Sequence, residues 1–250
     1  MRFFIYLSYN GAKYSGWQNQ PNAPTVQQQI EQSLTTLLRQ DTIIVGAGRT
    51  DAGVHAKTMV AHFDADIGIA DAAGLVARLN GFLPPDIAID RIVPVIPEAH
   101  ARFSATARTY KYFVSDHKDP FVGDLMLRSH AQLDYDRMNR AAAILLEYSD
   151  FECFSKAHTD VKTFICKIRE AHWSQGTLPN TYVFTITADR FLRNMVRAIV
   201  GTLFTIGRGK ADIEDLRRII LSKDRSQAGS SAPANALFLW HVEYPHHIYI

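Results

Sequence analysis

Thr25-Val-Gln-Gln-Gln-Ile-Glu-Gln-Ser-Leu-Thr-Thr-Leu37 places Val26, Ile30, Leu34 and Leu37 at i, i+4, i+8 and i+11, one face of a helix. Thr25 and Gln28 form a capping box at its start. Before it, Phe3 to Tyr9 reads as an alternating strand, followed by a turn through Gly11 to Gly16. After it come a β-like run at Thr42 to Val45, a glycine-rich segment and a strand from Met59 to Phe63. A second helix, Ala72 to Leu83, stops at Pro84-Pro85, and strands follow at Ile87 to Val95 and Thr109 to Val114. The later chain repeats this order. Asp136 to Tyr148 is helical, Thr163 to Trp173 and Tyr182 to Thr187 are strand-like, Phe191 to Ile206 is the strongest helix, Asp212 caps a shorter one, and Ala236 to Tyr244 is a final strand. The pattern predicts an α+β protein of two ferredoxin-like, RRM-like halves whose mainly antiparallel sheets flank a central cleft. The expected division is 1–115, a connecting segment at 116–134 rich in turn residues, and 135–250.

Composition narrows the function classes. The 250 residues are 47% hydrophobic, enough for one large or two smaller cores. The Phe3 to Leu7 run is too short for a signal-peptide core, and Met195 to Ile206 is too short and too polar to span a membrane. A cytoplasmic protein without membrane contact is expected. Two cysteines, Cys153 and Cys166, do not make a disulfide framework, and the ten histidines show no metal-ligand spacing. The formal charge is only +2, yet Arg102, Arg108 and Lys111 form an acid-free basic cluster. From Arg190 to Lys210 a second holds Arg190, Arg193, Arg197, Arg208 and Lys210; the first three fall at i, i+3 and i+7, so one helix face could track phosphates.

Gly46-Ala-Gly-Arg-Thr-Asp-Ala-Gly-Val-His-Ala56 is the most unusual stretch, with Arg49 and Asp51 placing opposite charges two residues apart among three glycines. No Gly-Lys-Ser/Thr follows, so it is not a Walker A loop, and Asp51 stands where a dinucleotide fingerprint needs its third glycine. On composition alone the simpler reading is a structural turn in which Asp51 bonds nearby backbone N–H groups.

The same segment resembles the active-site motif of the tRNA pseudouridine synthase A family. Four further stretches are similar to that family in the same order: Tyr9 to Gln18, Asn80 to Ile87, His100 to Tyr112 and Phe191 to Gly201. Asn10, Ala12 and Ala236 depart from it, standing where Asp, Thr and Gly are more usual. The resemblance implies isomerisation of uridine to pseudouridine at positions 38, 39 and 40 of the tRNA anticodon stem-loop, by a homodimer that uses neither cofactor nor metal. It implies Asp51 as the attacking carboxylate, Tyr110 as the aromatic that stacks on the flipped pyrimidine, Arg197 as an ion-pair partner keeping Asp51 deprotonated, and Arg49 as support for the extruded nucleotide. His55 is expected to be structural. Two rival readings are a non-catalytic RNA-binding protein of paired RRM-like halves, although no RNP1 run occurs, and a glycosyl-transfer enzyme, for which no second carboxylate stands out.

Overall fold

The computed structural model describes residues 1–120, 122–156 and 162–250; Phe121, within the expected connecting segment, lies outside them. Along the chain run β1 (Arg2–Tyr9), α1 (Val26–Leu38), β2 (Val45–Gly46), β3 (His55–Asp64), α2 (Ile69–Phe82), β4 (Ile87–Val95) and β5 (Ala107–Ser115). There follow β6 (Leu127–Arg128), α3 (Tyr135–Ile144), β7 (Ile168–Gln175), β8 (Thr181–Ala188), α4 (Met195–Gly207), α5 (Ile213–Ser222) and β9 (Leu237–Glu243). The fold is mixed α+β with mainly antiparallel strand pairs. No helix among the described residues is long and apolar enough to cross a membrane.

Contacts divide the chain into Met1–Ala107 with Phe238–Ile250, and Arg108–Leu237. This partition differs from the expected 1–115 and 135–250. Long-range pairing is the reason: β5 is zipped to β8 over eight residue pairs, which takes Tyr110 into the second unit. The last strand lies with the first unit, where Phe238 and Leu239 pair in parallel with His55 and Ala56.

In the first unit β1 is antiparallel to both β3 and β4, and β2 is antiparallel to β3. The order β4-β1-β3-β2 is that of a split β-α-β-β-α-β motif. Thr25 begins α1 as expected, its Oγ1 accepting the Gln28 N–H at 3.4 Å. Val26, Ile30 and Leu34 are fully buried on one face. Strand β1 departs from simple alternation, because Phe3 to Leu7 are buried without a break. Phe4 and Tyr6 share a face that C-terminal residues cover: the Phe4 ring meets Tyr244 at 4.9 Å, and the Tyr6 and Tyr249 hydroxyls are 2.6 Å apart. Burying each such side chain contributes about 1.5–3 kcal/mol, so a strand covered on both faces is the most firmly held part of this unit.

His62 on β3 is buried, and its Nδ1 accepts the Ala101 N–H at 3.1 Å, with the His100 ring 4.5 Å away. Burial, then the neighbouring His100 and Arg2 charges, pushes its pKa down to about 4, while Asp64 acts in the opposite sense. The unfolded chain therefore takes up a proton near its ordinary value of 6.5 that the folded chain refuses until about 4. This contribution to stability is complete above that upper value and is lost as pH falls through the window. We expect the urea midpoint to decline from pH 7 to pH 4.5, and His62→Gln, whose amide oxygen can still accept the Ala101 N–H, to make the decline shallower. An unchanged slope in the variant would remove His62 as its source.

In the second unit β8 is antiparallel to β5 and β7, giving the order β5-β8-β7, with α3 between β5 and β7 and α4 after β8. Helix α4 starts at Met195 and not at Phe191, because Asn194 sits in the left-handed region at φ 66°. Its side-chain amide donates to Ser231 Oγ at 2.6 Å, which fixes that turn. Arg190 and Arg193 consequently stand outside the helix, and the expected single face of Arg190, Arg193 and Arg197 does not form. The Arg190 guanidinium turns to the Thr163 carbonyl at 3.3 Å.

Candidate active site

The segment 46–56 bridges β2 and β3, and the opening turn, residues 9–18, forms its floor. The Trp17 N–H donates to the Thr50 carbonyl at 3.2 Å and the Gly53 N–H to the Tyr14 carbonyl at 3.4 Å. Two glycines allow this approach. A Cβ on Gly11 would lie 2.1 Å from the Val54 oxygen, and one on Gly16, at φ +99°, 2.5 Å from the Thr50 oxygen. The loop is thus clamped one residue before Asp51 and two after it. The departures in the opening turn leave this floor intact: Asn10 Oδ1 accepts the Ala12 N–H at 3.0 Å as a turn cap, and Ala12 is exposed.

Asp51 itself is partly exposed and its carbonyl accepts the Val54 N–H at 3.1 Å, while Arg49 is exposed. His55 points the other way. It is buried, its Nδ1 accepts the Gly11 N–H at 3.0 Å, and its ring stacks on Phe238 at 4.6 Å. These contacts give His55 the structural part expected of it. The loop therefore presents a carboxylate and a guanidinium on a base fixed to the ends of β1 and β3.

Tyr110 and Arg197 belong to the second unit. Tyr110 pairs with Ile186 across β5 and β8, is half-buried, and meets the edge of Phe191 at 5.2 Å and 89°. Its neighbour Tyr112 is wholly buried, donates to the Pro233 carbonyl at 3.1 Å and packs against Phe204. Burial raises the Tyr112 phenol well above its ordinary pKa, opposed by the nearby Arg197 charge. Tyr112 is a core aromatic, and Tyr110 is the more exposed of the two.

Arg197 lies in the first turn of α4, where its Nε donates to the Ala232 carbonyl at 2.7 Å and its own carbonyl accepts the Ala232 N–H at 2.9 Å. Gly201, one turn on, permits the close approach, and Thr202 Oγ1 accepts the Gly229 N–H at 2.9 Å. Arg225 holds the same strap by donating to the Gly229 carbonyl at 3.2 Å and Ser231 Oγ at 3.0 Å. Ala236 closes it as a fully buried residue of a 3-10 turn. The strap, residues 228–233, and Arg225 escaped the sequence reading, since small residues without periodicity give no local signal. In the basic cluster of 100–114, Arg108 donates to the Asp189 carbonyl at 2.8 Å, so part of that charge serves the fold.

A hollow of about 780 Å³ in the second unit contains none of the four candidate residues. Two of its charged groups are engaged elsewhere: Asp134 caps α3, and Arg137 pairs with Asp212 at 2.7 Å. Among the described residues no group of three or more His, Cys, Asp or Glu stands together to hold a metal ion.

A family profile described as tRNA pseudouridine synthase matches residues 5–104 and 141–245, most of the chain. The tRNA pseudouridine synthase A of Porphyromonas gingivalis is 59% identical over 250 residues, covering 100% of this chain and 99% of that one. The protein of the same name from Parabacteroides distasonis is 56% identical over 248 residues, with 99% and 98% covered, and that of Pseudoalteromonas translucida 38% over 249, with 98% and 92% covered. The chain belongs to the bacterial tRNA pseudouridine synthase A family. The stretches matched by the family profile include Arg49, Asp51 and Arg197, and Tyr110 falls between them. Relatives that span the full length of this family member cover it as well.

Proposed function

We propose that the protein isomerises uridine to pseudouridine at positions 38, 39 and 40 of the tRNA anticodon stem-loop, with Asp51 as nucleophile and Arg49, Tyr110 and Arg197 binding the substrate. The observation that carries this reading is Asp51 itself, a partly open carboxylate on a loop clamped on both sides and matched by the family profile. The reaction breaks the C1′–N1 bond, turns the uracil and forms a C1′–C5 bond; C5 gives up its proton and N1 ends with one. Atoms and electrons balance without oxidant, reductant or donor group, so a carboxylate nucleophile, an acceptor for the C5 proton and a place to hold the detached base suffice. Attack at C1′ of the ribose and attack at C6 of the base both satisfy that balance. Tyr110, half-buried and edge-on to Phe191, suits stacking on an extruded pyrimidine. Arg49, exposed on the loop, can bind phosphate and stack at once.

In this reading the protein works as a cytoplasmic homodimer, as its resemblance to the family implies. The purified protein, without added cofactor, should release tritium from C5-labelled uridine in unmodified tRNA, and only labels at positions 38 to 40 should be lost. Absence of release would refute the reading. Its tRNA affinity should fall steeply with salt, with a log–log slope steeper than about −3, as several phosphate contacts demand. A flat response would contradict phosphate tracking.

A further inference from the structure

We infer that the Thr50 and Tyr9 side chains act as positioning residues that aim Asp51, an inference resting on Asp51 being the nucleophile. Thr50 immediately precedes Asp51 and is 7% exposed; Tyr9 is 4% exposed. Their hydroxyls are 2.8 Å apart in the protein interior. Tyr9 ends β1, paired with Ala56 on one side and Ile87 on the other, and its ring tilts against Trp17 at 6.1 Å. The phenol is therefore an extension of the most firmly held strand of the first unit.

Thr50 is gripped at two points, its side chain by Tyr9 and its carbonyl by the Trp17 N–H. Those two bonds set the orientation of the peptide that carries Asp51. A buried Phe and Val would fill the same space without any hydroxyl to satisfy, so packing does not explain the pair. What the hydroxyls add is direction. Glycines at 46, 48 and 53 give the loop backbone freedom that these bonds restrict, and about 1 Å of misplacement at a reacting group costs about 100-fold in rate.

The test uses Tyr9→Phe, Thr50→Val, their double variant and Thr50→Ser in the full chain, reading the single-turnover rate of isomerisation and the tRNA Kd. Each of the first two should slow the chemical step about 10- to 100-fold while Kd stays within about twofold. The double variant should be no slower than the slower single, because the same Tyr9–Thr50 bond is lost in each case, and Thr50→Ser should retain the rate within about threefold. Singles at the parental rate, a multiplicative double, or a loss confined to Kd would overturn the inference. Tyr9→Phe keeps the ring and Thr50→Ser keeps the bond, so the comparison survives a poorly folded Thr50→Val. An inactive Asp51→Asn beside fully active Tyr9→Phe and Thr50→Val would sink only the positioning role. An active Asp51→Asn would sink the nucleophile with it.

Discussion

Asp51→Asn protein should bind unmodified tRNA as tightly as the parent and isomerise it at least about 10⁴-fold more slowly, the scale expected when a nucleophile is removed. The amide has almost the shape of the carboxylate, and the loop is also held through the Thr50 and Asp51 carbonyls, the Gly53 and Val54 N–H groups and the Thr50 hydroxyl. The loop should therefore keep its form while losing its anionic nucleophile. Tritium release from C5-labelled tRNA reads the chemistry, and filter binding reads the affinity. Activity in the variant would refute the mechanism. Loss of binding and activity together would point back to a binding protein in which Asp51 serves the fold. Asp51→Glu, which advances the carboxylate by one methylene, should fall between the two, slower by about 100-fold.

Gly201→Ala should cause the largest loss of stability, about 3–5 kcal/mol, seen as a fall of about 10 °C in the thermal midpoint. An added Cβ would stand 1.7 Å from the Ser230 oxygen and 2.9 Å from its carbonyl carbon. Both atoms are backbone, so no side chain can swing aside, and α4 or the strap must retreat. Retreat would pull Ala232 from both of its bonds to Arg197 and the Gly229 N–H from Thr202. Activity should fall with stability because the aim of Arg197 depends on that strap. Gly74→Ala is the control: it lies exposed in α2 with open space around its Cα, and exchanging it should stabilise by about 0.5–1 kcal/mol. A Gly201→Ala protein that melts with the parent would show that the strap yields freely.

Signals carried by neighbouring residues are legible in the chain, and contacts between distant segments are not. The Thr25 cap and the Val26, Ile30 and Leu34 face stand in α1 as the pattern predicts, because cap and period are properties of neighbouring residues. The start of α4 is hidden in the sequence because apolar periodicity runs through Phe191 and Leu192, while a left-handed Asn194 held by Ser231 interrupts the backbone. That one residue also dispersed the expected row of arginines. The unit boundary was displaced because β9 returns to His55 across the whole second unit, a pairing that no window along the sequence contains. Within the candidate site, the Asp51 loop was legible from its glycines and charges together with its resemblance to a family. Its supports, Gly11 against Val54, Gly16 against Thr50 and Tyr9 bonded to Thr50, are contacts between distant segments and leave no mark on either alone.

That returning strand also sets an order of events during synthesis. Met1–Ala107 leaves the ribosome first, yet its sheet lacks the residues that pair beside His55, stack beneath its ring and cover Phe4 and Tyr6 until Phe238–Ile250 has emerged. The second unit, translated in between, is complete while the first still carries an uncovered β3 edge of the kind that invites wrong partners. A chain halted before Phe238 would keep all four candidate site residues and lose the ring that stacks on His55 and the strand that pairs beside it. Phe238–Ile250 thus couples completion of the sheet that carries the Asp51 loop to a segment translated after the whole second unit.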